Sequence, residues 1–548
     1  IVTSIILNIL FRRFLFMTSE PKKVDRRSFI YAGLGAVALI AIGAAAYIAM
    51  NPPVVTQTIT TSTTVPTTSI VTTTVPTTSV VTTTVPTTTV VTTTPTTTPI
   101  GGKLTIIFEK GWYVQEDEAK KWLATMFKRE TGVDVELNIF AEEDAHKKVV
   151  AGCQAGNPPD LGFVRMWDWI GQELAWNGWL EDVSDICAEA KSQGLIEEWT
   201  FNAAYLWNYQ EKKRAYYFVP FAIDTAHISY WRTYLQTAGV SDKPEDIPLK
   251  LDEFYAFWKQ AQDKLWQKDP STKDKVYGVG WPSLGGIGVN PGDGWAQMGH
   301  IMAWYGWDPI TPTGTRVDTV ENVNAFKNAV KIVTDTYLEG YSPPGMLDWA
   351  SPDNNKAFNS VPPGIISVFN ASMSIPLYHY SVDPNNYFDK TASLPNMPSP
   401  DGKPGINLWH TFGWYMFKDA KNKKAARAFI KWFLQPEILN EYMKAAGGRM
   451  FPASMEIIES DPYWIEGKKD TGRKDPHLPT VYSRLKYGKN KPFFHQQVGH
   501  PGFRIIDAYA LAACHRVISD KWSVDDAVKE AVQKWQAAIN EYESKVKG

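Results

Sequence analysis

KLTIIFEKGWYVQEDEAKKWLATMFKRETGVDVELNIFAEEDAHKKVVAGCQAGNPPDLGFV, residues 103–164 of the 548-residue chain, sets the fold class. After a glycine pair, Leu104 to Phe108 form an apolar, β-rich run. Ala119, Trp122, Leu123, Met126 and Phe127 then recur at helical spacing. Val133, Val135, Leu137 and Ile139 alternate with polar residues as a strand requires, a second helix is expected over 143–155, and LGFV after the GNPPD turn reads as a third strand. Strands alternating with helices predict an α/β sheet of the doubly wound kind, whose ligands collect beyond the carboxyl ends of the strands.

The rest of the composition fits a large folded body. Apolar residues make up 44% and aromatics 13% of the chain, and the formal charge is only -2, so nothing favours nucleic acid or an anionic surface. A neutral or mixed partner is expected, with no cofactor. Cys153, Cys187 and Cys514 form no CxxC and sit far from any His at metal-ligand spacing, which excludes the common zinc patterns. They read mainly as small buried hydrophobes, with one disulfide and one spare thiol as the alternative.

The first hundred residues have a different character. Residues 1–16 resemble translated upstream sequence, with Met17 as the expected start. Lys22, Lys23, Arg26 and Arg27 precede a charge-free apolar run over 29–50, long enough to cross a bilayer, and the positive flank places the N-terminus inside. Arg26 and Arg27 with Ser28 and Phe29 resemble a twin-arginine export signal; a simple basic flank is the alternative. Residues 51–100 are Thr/Pro-rich, and more than half of 56–99 is Thr. Such tracts have too few large apolar groups to build a core, and as extended polyproline II this one would reach on the order of 140 Å. The expected arrangement is a membrane helix, a stalk and a folded domain held outside the cell surface.

Further motifs follow the opening strands in a fixed order. They are VPFAIDTAHISYW over 219–231, KLDEFYAFWKQAQ over 250–262, NKAFNSVPPGIISVFN over 355–370, FGWYMFKDAKNKKAARAFIKWFLQPE over 412–437, GGRMFPA over 447–453 and SVDDAVKEAVQKW over 523–535. Together with the TGVDVE strand and the GNPPD turn, these resemble the extracellular solute-binding proteins of ABC importers, in particular the maltose-binding-like carbohydrate group and its membrane-tethered archaeal type. Pro362 and Pro363 depart from that pattern, and its usual Met is missing. The resemblance implies a periplasmic-binding-protein-like fold of type II, with two doubly wound lobes joined by a hinge. Lobe 1 is expected over 101–224 and 370–416, and lobe 2 over 225–369 and 417–548, with crossings near 222–229, 366–370 and 414–418. It also implies a monomer that closes on a di- or oligosaccharide and delivers it to permease subunits, and no enzymatic activity.

Sugars present apolar C–H faces and rings of hydroxyls, which aromatic and charged side chains recognise. Glu109, Trp112, Tyr113, Trp167, Asp168, Trp281, Trp295, Trp409 and Trp414 stand at expected strand ends or loops, whereas Trp122 and Trp432 lie in amphipathic helices and read as core. Asp224 in the first crossing and Arg449 in the GGRMFPA loop are the polar candidates. Glu116, Asp117 and Glu118 at a helix start are explained by the macrodipole. Asn370 heads the one N-x-S/T sequon of the folded body and is expected to carry no glycan. Two other classes remain open: a secreted glycoside hydrolase, which needs two carboxylates about 5 to 9.5 Å apart, and a stalked adhesin or envelope protein.

Overall fold

A computed structural model describes residues 102–163, 169–280, 284, 293–312, 314–350, 352–470, 472–503 and 505–547. The expected membrane helix and the Thr-rich stalk, as well as Trp167, Asp168 and Trp281, lie outside the described residues.

The larger sheet has seven strands. They are β1 (Lys103–Glu109), β2 (Asp134–Phe140), β3 (Leu161–Phe163), β4 (Val219–Thr225), β9 (Ile406–Met416), β10 (Phe451–Pro452) and β11 (Lys489–Pro492). A four-stranded sheet holds the intervening β5 (His227–Trp231), β6 (Tyr277–Gly280), β7 (Ile365–Asn370) and β8 (Thr391–Ser393). The spatial order is β10-β4-β9-β3-β1-β2 with β11 on β9 in the first sheet, and β8-β5-β7-β6 in the second. β1 pairs in parallel with both β2 and β3, as the βαβαβ pattern predicts, while β9 runs antiparallel to β3 and β4. The sheets are therefore mixed rather than uniformly parallel.

The opening helices stand where the apolar spacing puts them. α1 (Val114–Thr131) buries Ala119, Leu123 and Phe127 on one face, with Trp122 and Met126 half-buried beside them. It ends at Gly132, whose positive φ of 72° lets its N–H close the last turn on Lys128. α2 (Glu142–Gln154) follows β2 and buries Ala145, Val149 and Cys153. Further on, α3 (Asp293–Trp304) and α4 (Asp353–Asn359) belong with the smaller sheet, and α5 (Ser374–Val382) leads out of it. α6 (Lys423–Phe433) buries Ala425, Ala426, Phe429, Ile430 and Phe433, the face its lysine pattern leaves apolar. α7 (Pro436–Ala445) and α8 (Leu478–Tyr487) complete the cover of the larger sheet. At the start of the last helix, Ser523 Oγ accepts from the Asp526 N–H at 3.1 Å, the cap its sequence predicts.

The two largest of four apolar cores lie against the two sheets. One joins β1 and β3 to α6, α7 and α8 through residues such as Phe108, Trp414, Phe429 and Val481. The other joins β5 and β6 to α3 and the C-terminal helices through Tyr230, Trp258, Trp295 and Trp535. This corrects the expected boundaries. Residues 425–482 pack with the first strands and so belong to the larger lobe, not to the second. The third crossing moves from 414–418 to the start of β9, where Leu408 packs in one core and Trp409 in the other. A further crossing follows β11, since Phe493 and Phe494 return to the second core. Within 222–229, β4 in one sheet and β5 in the other are separated only by Ala226. The three cysteines are free and buried, and burial pushes each thiol up to about 12.

Candidate functional site

β1 and β2 lie side by side in parallel and end together, Glu109 opposite Phe140. Their following loops, with residues of the second lobe, enclose a cavity of about 370 Å³. Glu109, Trp112, Glu142 and Asp144 contribute from the larger lobe, and Ala350 and Pro352 from the loop before α4. That volume is in the range of small-molecule pockets, and its position beyond strand carboxyl ends is where α/β folds place ligands. Trp112 is 36% exposed, which makes it one of the few large apolar side chains left open.

The loop carrying Trp112 is fixed by the start of α1. Glu116 Oε2 accepts from the Trp112 N–H at 2.6 Å, and Asp117 Oδ1 accepts from the Gly111 N–H at 2.8 Å. Each carboxylate has a cation behind it. Arg449 Nη1 donates to both oxygens of Glu116, at 2.8 and 3.0 Å, and Lys120 Nζ donates to Asp117 at 2.9 Å and to the Glu109 carbonyl at 2.7 Å. Arg449 and Glu116 are buried, so this pair works at low dielectric and is held by charge-assisted bonds. Gly111 is required by the tight approach, because a Cβ there would stand 2.5 Å from the Cβ of Glu116. The acidic helix start thus acts through direct hydrogen bonds to the loop, beyond the macrodipole alone.

On the facing lobe, the end of β7 carries a buried polar network. Asp293 Oδ2 accepts from the side-chain amides of Asn354 and Asn370, each at 2.8 Å, and Asn370 also donates to Asn355 Oδ1 at 2.8 Å. This network ties the starts of α3 and α4 to the strand. It also occupies the amide of the sequon residue.

The expected site residues within the described part of the chain divide into four groups. Glu109 and Trp112 line the cavity. Arg449 and Tyr113 support its loop from behind, Tyr113 Oη donating to the Ala446 carbonyl at 2.7 Å. Trp295, Trp409 and Trp414 are fully buried packing residues and do not reach it. Trp409 Nε1 donates to Asn490 Oδ1 at 2.8 Å, Trp295 Nε1 meets His495 Nδ1 at 3.3 Å, and Trp414 is packed edge-on against Phe108, Phe429 and Phe433. Both β9 tryptophans belong to a strand covered on both faces, and Trp295 lies in a helix buried along its whole length. Asp224 is buried in the first crossing, where its Oδ1 accepts from the Thr225 N–H at 2.8 Å and stands 3.6 Å from His227 Nε2. Arg484 of α8 clasps the same crossing, donating to the Ala226 carbonyl and to His227 Nδ1 at 2.6 Å each. These residues hold the hinge and do not line the cavity.

Glu142, Asp144, Ala350 and Pro352 were missed. The two acids carry a legible signal, since β2 ends beside β1 and its loop must share the same edge. Ala350 and Pro352 carry none, because only the tertiary fold brings them across. Among the described residues, no three His, Cys, Asp or Glu side chains group as a metal site.

The family profile described as bacterial extracellular solute-binding protein matches residues 122–480. No curated protein matches the chain in sequence. Among solved structures, it is similar to an ABC transporter solute-binding protein of Thermotoga lettingae TMO bound with α-D-tagatose, at 18% identity and a TM-score of 0.62, covering 80% of this chain and 100% of that one. Maltose-bound MalE3 of T. maritima is similar at 15% identity and TM-score 0.58, covering 79% and 99%. A sugar transporter protein of Arthrobacter chlorophenolicus A6 with bound laminaribiose gives the same identity and score, covering 80% and 99%. At these identities the likeness is one of fold.

Proposed function

The chain belongs to the bacterial extracellular solute-binding protein family, and from that premise we propose that it captures a sugar between its two lobes as the binding subunit of an ABC transporter. The observation that carries this reading is the cavity of about 370 Å³ walled by both lobes, with a half-exposed Trp112 in its wall beside Glu109, Glu142 and Asp144. An indole face and several carboxylate acceptors match the apolar and hydroxyl surfaces of a pyranose. The tagatose, maltose and laminaribiose held by proteins of similar fold support a carbohydrate, and two of those three are disaccharides. A di- or oligosaccharide is therefore the proposed ligand. Trp167, Asp168 and Trp281 are proposed to add to the same site.

The tether belongs to the same proposal. The apolar run over 29–50 would anchor the chain as in a membrane-tethered archaeal type, and the Thr-rich tract over 51–100 would hold the monomeric domain clear of the surface, near its permease. Screening the full chain by calorimetry against mono-, di- and oligosaccharides tests the reading. Saturable binding of at least one sugar without turnover is expected; slow release of cleaved products would favour a glycoside hydrolase, and no binding across the panel would refute the proposal.

A further inference from the structure

A second cavity, of about 490 Å³, lies inside the larger lobe and shares no lining residue with the first. Its walls include Tyr113 after β1, Tyr380 of α5, Tyr463 and Lys468. Lys468 enters from a turn at Gly467, whose φ is 82° and where a Cβ would collide with Asp475 at 2.4 Å. The lysine is buried, and its Nζ donates to the Gly447 carbonyl and to Tyr463 Oη, both at 2.9 Å. It also lies 4.5 Å from the centre of the Tyr380 ring and 5.1 Å from that of Tyr463.

An ammonium carries three N–H donors, and here two meet neutral oxygens. Asp475, on the same loop, directs its carboxylate elsewhere: to the backbone N–H groups of Lys468, His477 and Leu478 and to the Tyr387 hydroxyl. Lys444 in the cavity wall is already held by Asp461 at 2.9 Å and Glu441 at 2.7 Å. Buried cations are normally paired, and this one has aromatic faces, one carbonyl and one hydroxyl around it instead. The wall thus offers a cation, a remaining donor and three phenol rings.

We propose that this cavity is a binding site for a uronic acid, a pyranose bearing a carboxylate, whose anion pairs with Lys468 while its ring lies against Tyr113, Tyr380 and Tyr463. The site is independent of the cavity between the lobes and of whatever sugar that cavity takes. Burial lowers the Lys468 ammonium to about 8, so the empty site loses its charge as pH rises through that value and an anion binds best below it. The other ionisable groups of the cavity wall are Tyr113, Tyr380, Lys444, Asp461, Tyr463 and Lys469, with the Asp475 carboxylate acting on the ammonium from its own loop, and substitution of Lys468 itself assigns the pH step.

The test uses the full chain with D-galacturonate, with neutral D-galactose as comparison, and follows the ¹³Cε resonance of Lys468 in lysine-labelled protein alongside calorimetry. Galacturonate is expected to shift that resonance and to bind at least tenfold more tightly than galactose. Its affinity should fall above pH 8, drop at least tenfold in Lys468→Met, and stay unchanged in Trp112→Ala. A Lys468 resonance indifferent to saturating galacturonate, equal binding of the two sugars, or an undiminished affinity in folded Lys468→Met would overturn the proposal. The resonance shift in the unsubstituted chain decides the matter even where Lys468→Met fails to fold.

Discussion

Replacing Arg449 by Met should both destabilise the larger lobe and loosen the Trp112 loop. The guanidinium is the counter-charge of Glu116, and both side chains are buried, at 3% and 5% exposure. Removing one partner of such a pair leaves an uncompensated buried charge, at a cost of about 3–5 kcal/mol. Glu116→Gln alone strands the arginine at a similar cost, although its amide oxygen can still accept from the Trp112 N–H. In the double variant no charge is left unpaired, so its loss should fall well short of the sum of the two singles. The coupling in a double-mutant cycle should be about 3 kcal/mol, measured by urea unfolding of the full chain. Single losses that add to within about 0.5 kcal/mol would show that the two side chains are not energetically paired, and the loop-holding argument would fall with them.

Three further outcomes follow from the same geometry. Trp112→Ala should weaken sugar binding at least tenfold in calorimetry while changing unfolding free energy by less than about 1 kcal/mol, because the ring is already 36% exposed. Burial lowers His300 and His477 to about 3 and His379 to about 4. The unfolded chain takes up protons at these sites below about pH 6.5 while the folded chain does not, so stability should fall as pH drops from 6.5 towards 4, by roughly 1.4 kcal/mol per pH unit for each histidine. Urea midpoints that stay level from pH 7 to pH 5 would refute this. Asn370 should carry no glycan in peptide mass spectrometry, since its amide is bonded to Asp293 and Asn355 inside the fold.

The elements with strong local signals were legible in the sequence. β1, α1, β2, α2 and β3 appear in the predicted order because each has a burial face written in its own spacing, and α6 shows the same agreement. What spacing cannot reveal is which sheet a later segment joins. Residues 425–482 join the first lobe through contacts with β1, some three hundred residues earlier in the chain, and no local pattern marks that return. The tryptophans show the same limit from the other side. Trp112 and Trp414 both stand near strand residues, yet one follows an exposed carboxyl end and the other sits in a central strand among phenylalanines. Arg449, a candidate for ligand contact on its sequence, is bonded to Glu116 behind the Trp112 loop.

Capture of solute by closure of two lobes is tested most directly by the distance between them. Lys147 of α2 and Lys356 of α4 are exposed positions, one on each lobe, and the native cysteines are buried. Pulsed electron–electron double resonance on the full chain labelled at Lys147→Cys and Lys356→Cys should show a shorter and narrower distance distribution on saturation with a bound saccharide, and no change when Trp112→Ala abolishes binding. A distribution that stays the same while calorimetry reports the sugar bound would contradict the account.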